Sequence, residues 1–458
     1  MRHPHTISAI AATVLFGAAG LTYGSGTGSD NGSVSYGIAA DQANQEQFAT
    51  AIGFFALQSS VDTGNGNTAL GYTTMYFNQT GSYNTAVGVE ALSGNTTGYG
   101  NTGIGTDSLI HHESGSFNTA SGTNALSCSI TGSANTASGA FALSGGARPE
   151  GAFQSTCPAV TGSGSGNTAD GYQALNQNTT GTNNAGSGYQ ALYSNLNGYQ
   201  NTASGAGALF SSTVGNHNTA SGSNSLYSNT NGDSNTASGD SALYANTTGY
   251  HNTAFGEGSL LSNTTGANNT ALGSNAGYNL TYGSNNIDIG NEGVAGESGI
   301  IRIGTSSTQV ATYVAGIENS KVTGSAVYIT SKGQLGVLAS SERYKTEIAP
   351  MGAGTEKLQD LRPVSFHLKS DPRGAVQYGL IAEEVAKVYP ELVIRDEAGR
   401  IEGVRYDELA PMLLNEVQKQ KRINESHAAE IRELRKLVTE MRADLLKLQA
   451  KDVLVAQR

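Results

Sequence analysis

Apolar residues are sparse along most of this chain, and where they occur they recur at a fixed interval. The triplet Asn-Thr-Ala, or a close variant, begins at Asn67, Asn84, Asn101, Asn118 and Asn135, then at Asn167, Asn184, Asn201, Asn218, Asn235, Asn252 and Asn269. Successive starts are 17 residues apart, except for one step of 32 between Asn135 and Asn167. That step adds 15 residues near Gly145 to Ser163, including Arg148, Pro149 and Cys157. Asn286 keeps the phase, but its motif becomes Asn-Ile-Asp-Ile-Gly. Glycine stands three residues before each Asn, as at Gly64, Gly81 and Gly98, and four after it, as at Gly71, Gly88 and Gly105. Ala-Leu or Ser-Leu follows, as in Ala91-Leu92 and Ser225-Leu226.

A strict period of this kind predicts coils that stack on their neighbours, one coil per repeat. Glycine at fixed phase supplies corners that need positive φ or close backbone approach. Asparagine at fixed phase predicts a side-chain ladder along the stack. Each coil offers one Ala and one Leu and little else to bury. At roughly 25 cal/mol per Å² such a core is thin against the cost of ordering backbone. Association of three chains would bury a second face.

Beyond the repeats the pattern changes. Ile300–Gly304, Ala311–Ile317 and Ala326–Ile329 read as short strands with Gly and Ser breaks. After Ser340 the pattern predicts a short helix over Glu356–Leu361, a strand over Pro363–Leu368, and a strand running into a helix over Tyr378–Val385. Turns are expected at Asp371–Gly374 and Asp396–Gly399. The last segment is helical. Leu413, Val417, Gln420, Asn424, His427, Ile431, Leu434, Val438, Met441, Leu445 and Leu448 alternate three and four apart, the spacing of a coiled-coil seam. The expected fold class is mainly β: a parallel β-solenoid or β-roll shaft, then a small α+β domain and a C-terminal coiled-coil helix. The expected divisions are a signal peptide at 1–24, a lead-in at 25–63, the solenoid at 64–290, a β-rich stem at 291–339, the α+β domain at 340–406 and the terminal helix at 407–458.

Composition narrows the function. Gly is 61 of 458 residues, Trp is absent and charged residues are 13%, against about 25% in an average globular chain. A net charge of −11 speaks against nucleic-acid binding, and Arg148 is the only basic residue between Ser25 and Ile300. Arg2, His3 and His5 precede an apolar stretch from Ile7 to Leu21 and then small residues, the layout of a secretory signal peptide. The stretch is short for a span of roughly 20 apolar residues, so no stable membrane span is expected after its removal. The alternative is an uncleaved anchor. Export permits a disulfide between the two cysteines, Cys128 and Cys157, and leaves their pairing open. Two cysteines without neighbouring ligands do not fill a metal shell, and no cofactor is expected.

Two resemblances add to this reading. The Asn-Thr-Ala-x-Gly-x-x-Ala-Leu coil resembles the head repeats of trimeric autotransporter adhesins of the YadA type, over about residues 49–290. Those heads are left-handed parallel β-rolls in trimers, with a shorter period than here. Ser340-Ser341-Glu342-Arg343-Tyr344-Lys345, Leu361-Arg362-Pro363-Val364, Tyr378–Val385 and Tyr389–Val393 resemble, in order, the intramolecular chaperone of phage endosialidase tailspikes. That resemblance covers about residues 340–450. It implies a domain that trimerises, helps fold the preceding fibre and then cuts itself off, as a peptidase acting only on its own chain. Ser340 falls on the family's nucleophile and Lys345 on its partner, which places the scissile bond at Ala339–Ser340. Ser341 stands where the motif usually has Asp, and Gln377 where some self-cleaving members have His. A chaperone that has lost cleavage is therefore one alternative. Another is a glycan-degrading tailspike, although Glu90, Asp107, Asp170, Asp233, Asp240 and Glu257 form no recognisable catalytic pair. The expectation is an exported, secreted or cell-surface homotrimer, with a cell-surface or glycan ligand.

Overall fold

The computed structural model describes residues 33–37, 40, 48–59, 63–146, 157, 162–306, 308–315, 326–330, 333–396 and 398–456. The expected signal peptide and most of the insert around Arg148 lie outside them. The chain divides into two units, Met1–Tyr313 and Val314–Arg458.

In the first unit, sixteen strands of three residues each form one parallel sheet in strict sequence order, from Val34–Tyr36 to Ile301–Ile303. Register follows the repeat: Thr85 pairs with Thr102, Thr202 with Thr219, and across the insert Thr136 pairs with Thr168. The sheet runs beyond the expected 64–290 at both ends. Ladder pairing needs only backbone, so Val34–Tyr36, Thr50–Ile52 and Ile301–Ile303 join it without the Asn-Thr-Ala signature.

The coil that begins at Asn84 explains the others. Thr85–Val87 alternates its side chains, so Ala86 points inward and is fully buried while its neighbours face outward. Gly88 turns the corner at φ 136°, where a Cβ would lie 2.5 Å from the Gly105 carbonyl oxygen of the next coil. Gly98 has an ordinary φ and is required by space alone, with a Cβ meeting the Gly115 oxygen at 2.4 Å. Between them Leu92 is fully buried at φ 52°. The left-handed region costs roughly 1–2 kcal/mol for a residue with a Cβ. Burying a leucine side chain returns about 1.5–3 kcal/mol, and the Leu92 N–H also donates to the Ser108 oxygen at 2.9 Å. The balance favours the strained leucine, and the same conformation recurs in coil after coil, from Leu57 to Leu260.

The thin apolar core is filled out by polar ladders. The Asn67 Oδ1 accepts the Asn84 backbone N–H at 2.9 Å, and the Asn84 Nδ2 donates to the Gly98 oxygen at 2.8 Å. This pattern continues to Asn286, with every member buried. A second ladder runs through Asn78 and Asn95 (2.7 Å), and resumes through Asn178 and Asn195, then Asn229, Asn246 and Asn263. Where it is interrupted by His112, Ser212 or Leu280, the preceding Asn95, Asn195 and Asn263 each keep a buried Oδ1 with no partner. Outside the core, Tyr193, Phe210, Tyr227 and Tyr244 stack with ring centroids 5.0–5.2 Å apart, the repeat of the sheet. Cys128 and Cys157 are disulfide-bonded, which ties the insert to the solenoid.

The second unit is α+β. Ala311–Val314, read as a strand from sequence, spans the boundary between the units and is irregular, and Gly316–Ile317 lie outside the described residues. Tyr328–Ile329 and Leu335–Gly336 pair as a small hairpin. A 3-10 helix covers Gly352–Asp360, Val364–Phe366 pairs with Gln377–Gly379, and a helix follows over Ala382–Val388. Val393–Arg395 pairs with Ile401–Val404, and a 51-residue helix, Tyr406–Ala456, ends the chain. A small core joins Val385, Tyr389, Leu392, Val393, Val404 and Met412.

Two stability tests follow. Asn201→Ala leaves the buried Asn218 N–H and Gly215 oxygen without their partners and should cost roughly 2–5 kcal/mol. Thr202→Ala, on the outer face of the strand, should stay within about 0.5 kcal/mol by denaturant unfolding. His112 is fully buried, with Nδ1 2.6 Å from the Ser129 oxygen and Nε2 2.8 Å from the Gly115 oxygen. Burial holds its pKa below the ordinary 6.5, against the opposing pull of those two carbonyls. The unfolded chain therefore binds the proton more readily, and stability should fall as pH drops below about 6.5. His112→Asn should remove that loss and give the Asn95 Oδ1 a donor, measured as unfolding midpoints at pH 5 and 7.5.

Candidate functional site

The sequence singled out Ser340 and Lys345, five residues apart. The intervening Glu342–Tyr344 forms one turn of 3-10 helix, closed by the Tyr344 N–H on the Ser341 oxygen (3.0 Å) and the Lys345 N–H on the Glu342 oxygen (2.9 Å). Ser341 and Lys345 flank the turn in extended conformation. The turn brings Lys345 Nζ to 3.2 Å from Ser340 Oγ. The Arg343 guanidinium lies over the Tyr344 ring, 4.7 Å from its centroid. Both Ser340 and Lys345 are exposed in the single chain.

The rest of the unit is fastened by polar contacts onto the first turns of the long helix. The buried Thr355 hydroxyl donates to Glu416 Oε1 at 2.6 Å and accepts from Asn415 Nδ2 at 2.6 Å. Asn415 also donates to the Gly352 oxygen, and Lys419 pairs with Glu356 at 2.9 Å. The Arg362 guanidinium grips Glu384 at 2.6 Å and holds its carboxyl below the usual carboxylate range. The Tyr406 hydroxyl accepts the Leu380 N–H at 2.8 Å, at the junction of strand and helix. Gln377 lies on the strand that pairs with Val364–Phe366, opposite Phe366.

Residues 340–394 match the family model of the chaperone of endosialidase. The match begins at Ser340 itself and takes in the 3-10 turn, the Arg362–Glu384 pair and the strand–helix junction. It ends within Val393–Arg395, before the long helix. No curated protein matches the chain. Among the described residues no three His, Cys, Asp or Glu side chains are grouped to hold a metal ion. Among them, too, no helix is long and apolar enough to cross a membrane.

Sequence reading missed the Thr355–Glu416–Asn415 clasp. Its members are some 60 residues apart and belong to no motif. Thr355→Val leaves two polar side chains without their partner and should destabilise the C-terminal unit by about 1–3 kcal/mol. Its unfolding midpoint should shift while that of the solenoid does not.

Proposed function

We propose that the chain is an exported fibre protein whose solenoid is assembled as a trimer by its C-terminal module, and that the module then cuts the chain at Ala339–Ser340. The observation that carries this reading is the 3.2 Å approach of Lys345 Nζ to Ser340 Oγ, at the first residues of a segment that matches the endosialidase chaperone. Residues 1–24 act as the export signal, 340–406 as the chaperone and 407–458 as the coiled coil. The similarity of the repeats to YadA-type heads, which are trimeric rolls, supports the same assembly.

The long helix supports trimerisation through its surface. Leu413, Val417, Ile431, Leu434, Val438, Met441, Leu445 and Leu448 keep heptad spacing and are all about half exposed in the single chain. Gln420, Asn424 and His427 form a polar stretch on the same line, which would set register at a cost in stability.

In the cleavage step Ser340 Oγ attacks the Ala339 carbonyl carbon while the Lys345 amine takes the hydroxyl proton. The Ala339–Ser340 C–N bond breaks as the ester forms, with the proton passed from Lys345 to the leaving Ser340 amine. Water then hydrolyses the ester to the Ala339 carboxylate and the free Ser340 hydroxyl. A lysine serves as base only where its amine is desolvated. Neighbouring chains of the trimer around the exposed 340–345 turn supply that desolvation, which makes cleavage dependent on assembly. Fixed proximity of attacking oxygen and carbonyl contributes about 7–11 kcal/mol of barrier lowering.

Intact-mass measurement of the purified protein tests this. Wild type should give separate pieces ending at Ala339 and beginning at Ser340, while Ser340→Ala and Lys345→Ala each stay full length. Cleavage that survives Ser340→Ala moves the nucleophile elsewhere, with Ser341 the next residue to test. A full-length wild type leaves the module as a trimerising chaperone whose Ser341 and Gln377 departures have silenced it.

A further inference from the structure

The last coil of the solenoid breaks the rule kept by those before it. The middle residue of each strand faces the interior and is Ala or Gly from Ala51 to Ala271. The next two such positions are Asp288 and Arg302, paired in register on neighbouring strands. Asp288 is sealed from water, with 1% of its surface exposed, and neither of its carboxylate oxygens has a hydrogen-bond partner. Arg302 is engaged elsewhere. Its Nη2 lies 2.6 Å from Glu297 Oε2 and its Nε 2.9 Å from Glu297 Oε1. Two carboxyl groups thus stand near one guanidinium at the end of the stack, and Glu297, the less deeply buried, holds it while Asp288 makes no hydrogen bond to it. Around Asp288, Ala271 lies on the preceding strand and Gly293 on the following loop, packed against Leu280. Among the described residues the charged groups facing Asp288 are Glu297 and Arg302.

We propose that residues 287–303 form a pH-responsive cap, in which Asp288 and Glu297 compete for Arg302: closed while Asp288 carries a proton, loosened once it is ionised. A neutral carboxylic acid fits an alanine-lined interior at moderate cost. An isolated carboxylate there does not, and must either recruit Arg302 from Glu297 or reach water by opening the coil. Burial first, and the Glu297 charge second, push the Asp288 acid up to about 6, while Arg302 pulls the other way. Because this folded-state value lies above the unfolded one, the stabilisation is full below about pH 4 and is lost as pH rises through about 6. Opening would free Ile301–Ile303 and expose the edge of Ile287–Ile289, whose N–H and C=O groups then lack partners.

Amide exchange of the full-length protein, read on peptides spanning 284–304 and corrected for intrinsic rates, tests the cap. Its opening should rise about tenfold from pH 5 to pH 8, while a peptide from the interior of the stack, 219–238, stays level. His112 cannot imitate this, since its contribution weakens the fold on acidification and lies many coils away. Asp288→Ala, which restores the residue type of the column, should give a closed cap at both pH values. Glu297→Gln releases Arg302 to Asp288 and should shrink the pH response. A level wild-type cap, or a tenfold response that survives Asp288→Ala, overturns the proposal. An unchanged response in Glu297→Gln overturns the competition for Arg302.

Discussion

One hydrogen-bond pattern governs the solenoid: along the column from Asn67 to Asn286, the side-chain oxygen of each Asn accepts the backbone N–H of the Asn one coil on. Its amide nitrogen reaches the glycine carbonyl 14 residues ahead, as Asn84 reaches Gly98. Each Asn therefore joins its own coil to both neighbours. The interior has room for one Leu and a few Ala per coil, and a polar group left unpaired there would cost about 1–3 kcal/mol. Satisfying the Asn groups in series turns that liability into the registration device of the whole stack. The glycine column of Gly81 and Gly98 follows from it, because the carbonyls that the ladder uses lie closer to the neighbouring coil than any Cβ allows.

The same constraint explains where the pattern fails. The first ladder is unbroken from Asn67 to Asn286, and across it the chain tolerates an insertion of 15 residues, closed off by the Cys128–Cys157 bridge. The second ladder is interrupted three times, and each interruption strands an oxygen. At the last coil the interior column changes from Ala to Asp288 and Arg302. The termination of the solenoid is thus built from charge and not from packing.

Much of this was readable in the residues and part was not. The Asn and Gly columns announced themselves by period, because each is demanded at one phase for a steric or hydrogen-bonding reason. The left-handed conformation of Leu92 and its counterparts was not, since a leucine at a core position carries no mark of its φ. The strand at Val34–Tyr36 escaped because backbone pairing needs no signature residue, and Ile301–Ile303, read as a strand, was not expected to join the solenoid sheet. Two alanines of the coil, Ala86 and Ala91, are buried where one was counted, and the second Asn column was missed as well, which made the core look thinner than it is. Ser340 and Lys345 were singled out by resemblance to a family motif, and a single 3-10 turn spans the residues between them. The clasp at Thr355 depends on a contact 61 residues away, and no local pattern encodes it.

In this account a repetitive, self-registering shaft depends on a separate module to bring its chains together. Asn ladders lock coils within a chain, but they offer nothing that aligns one chain with another. The proposed function assigns that role to the long helix, with its half-exposed apolar line. The most direct measurement is the native mass of residues 25–339 produced alone, compared with the same segment produced as part of the full chain. The account predicts a threefold mass for the shaft made with its module and a single-chain mass, or aggregation, for the shaft made without it. Equal masses from both routes would contradict it.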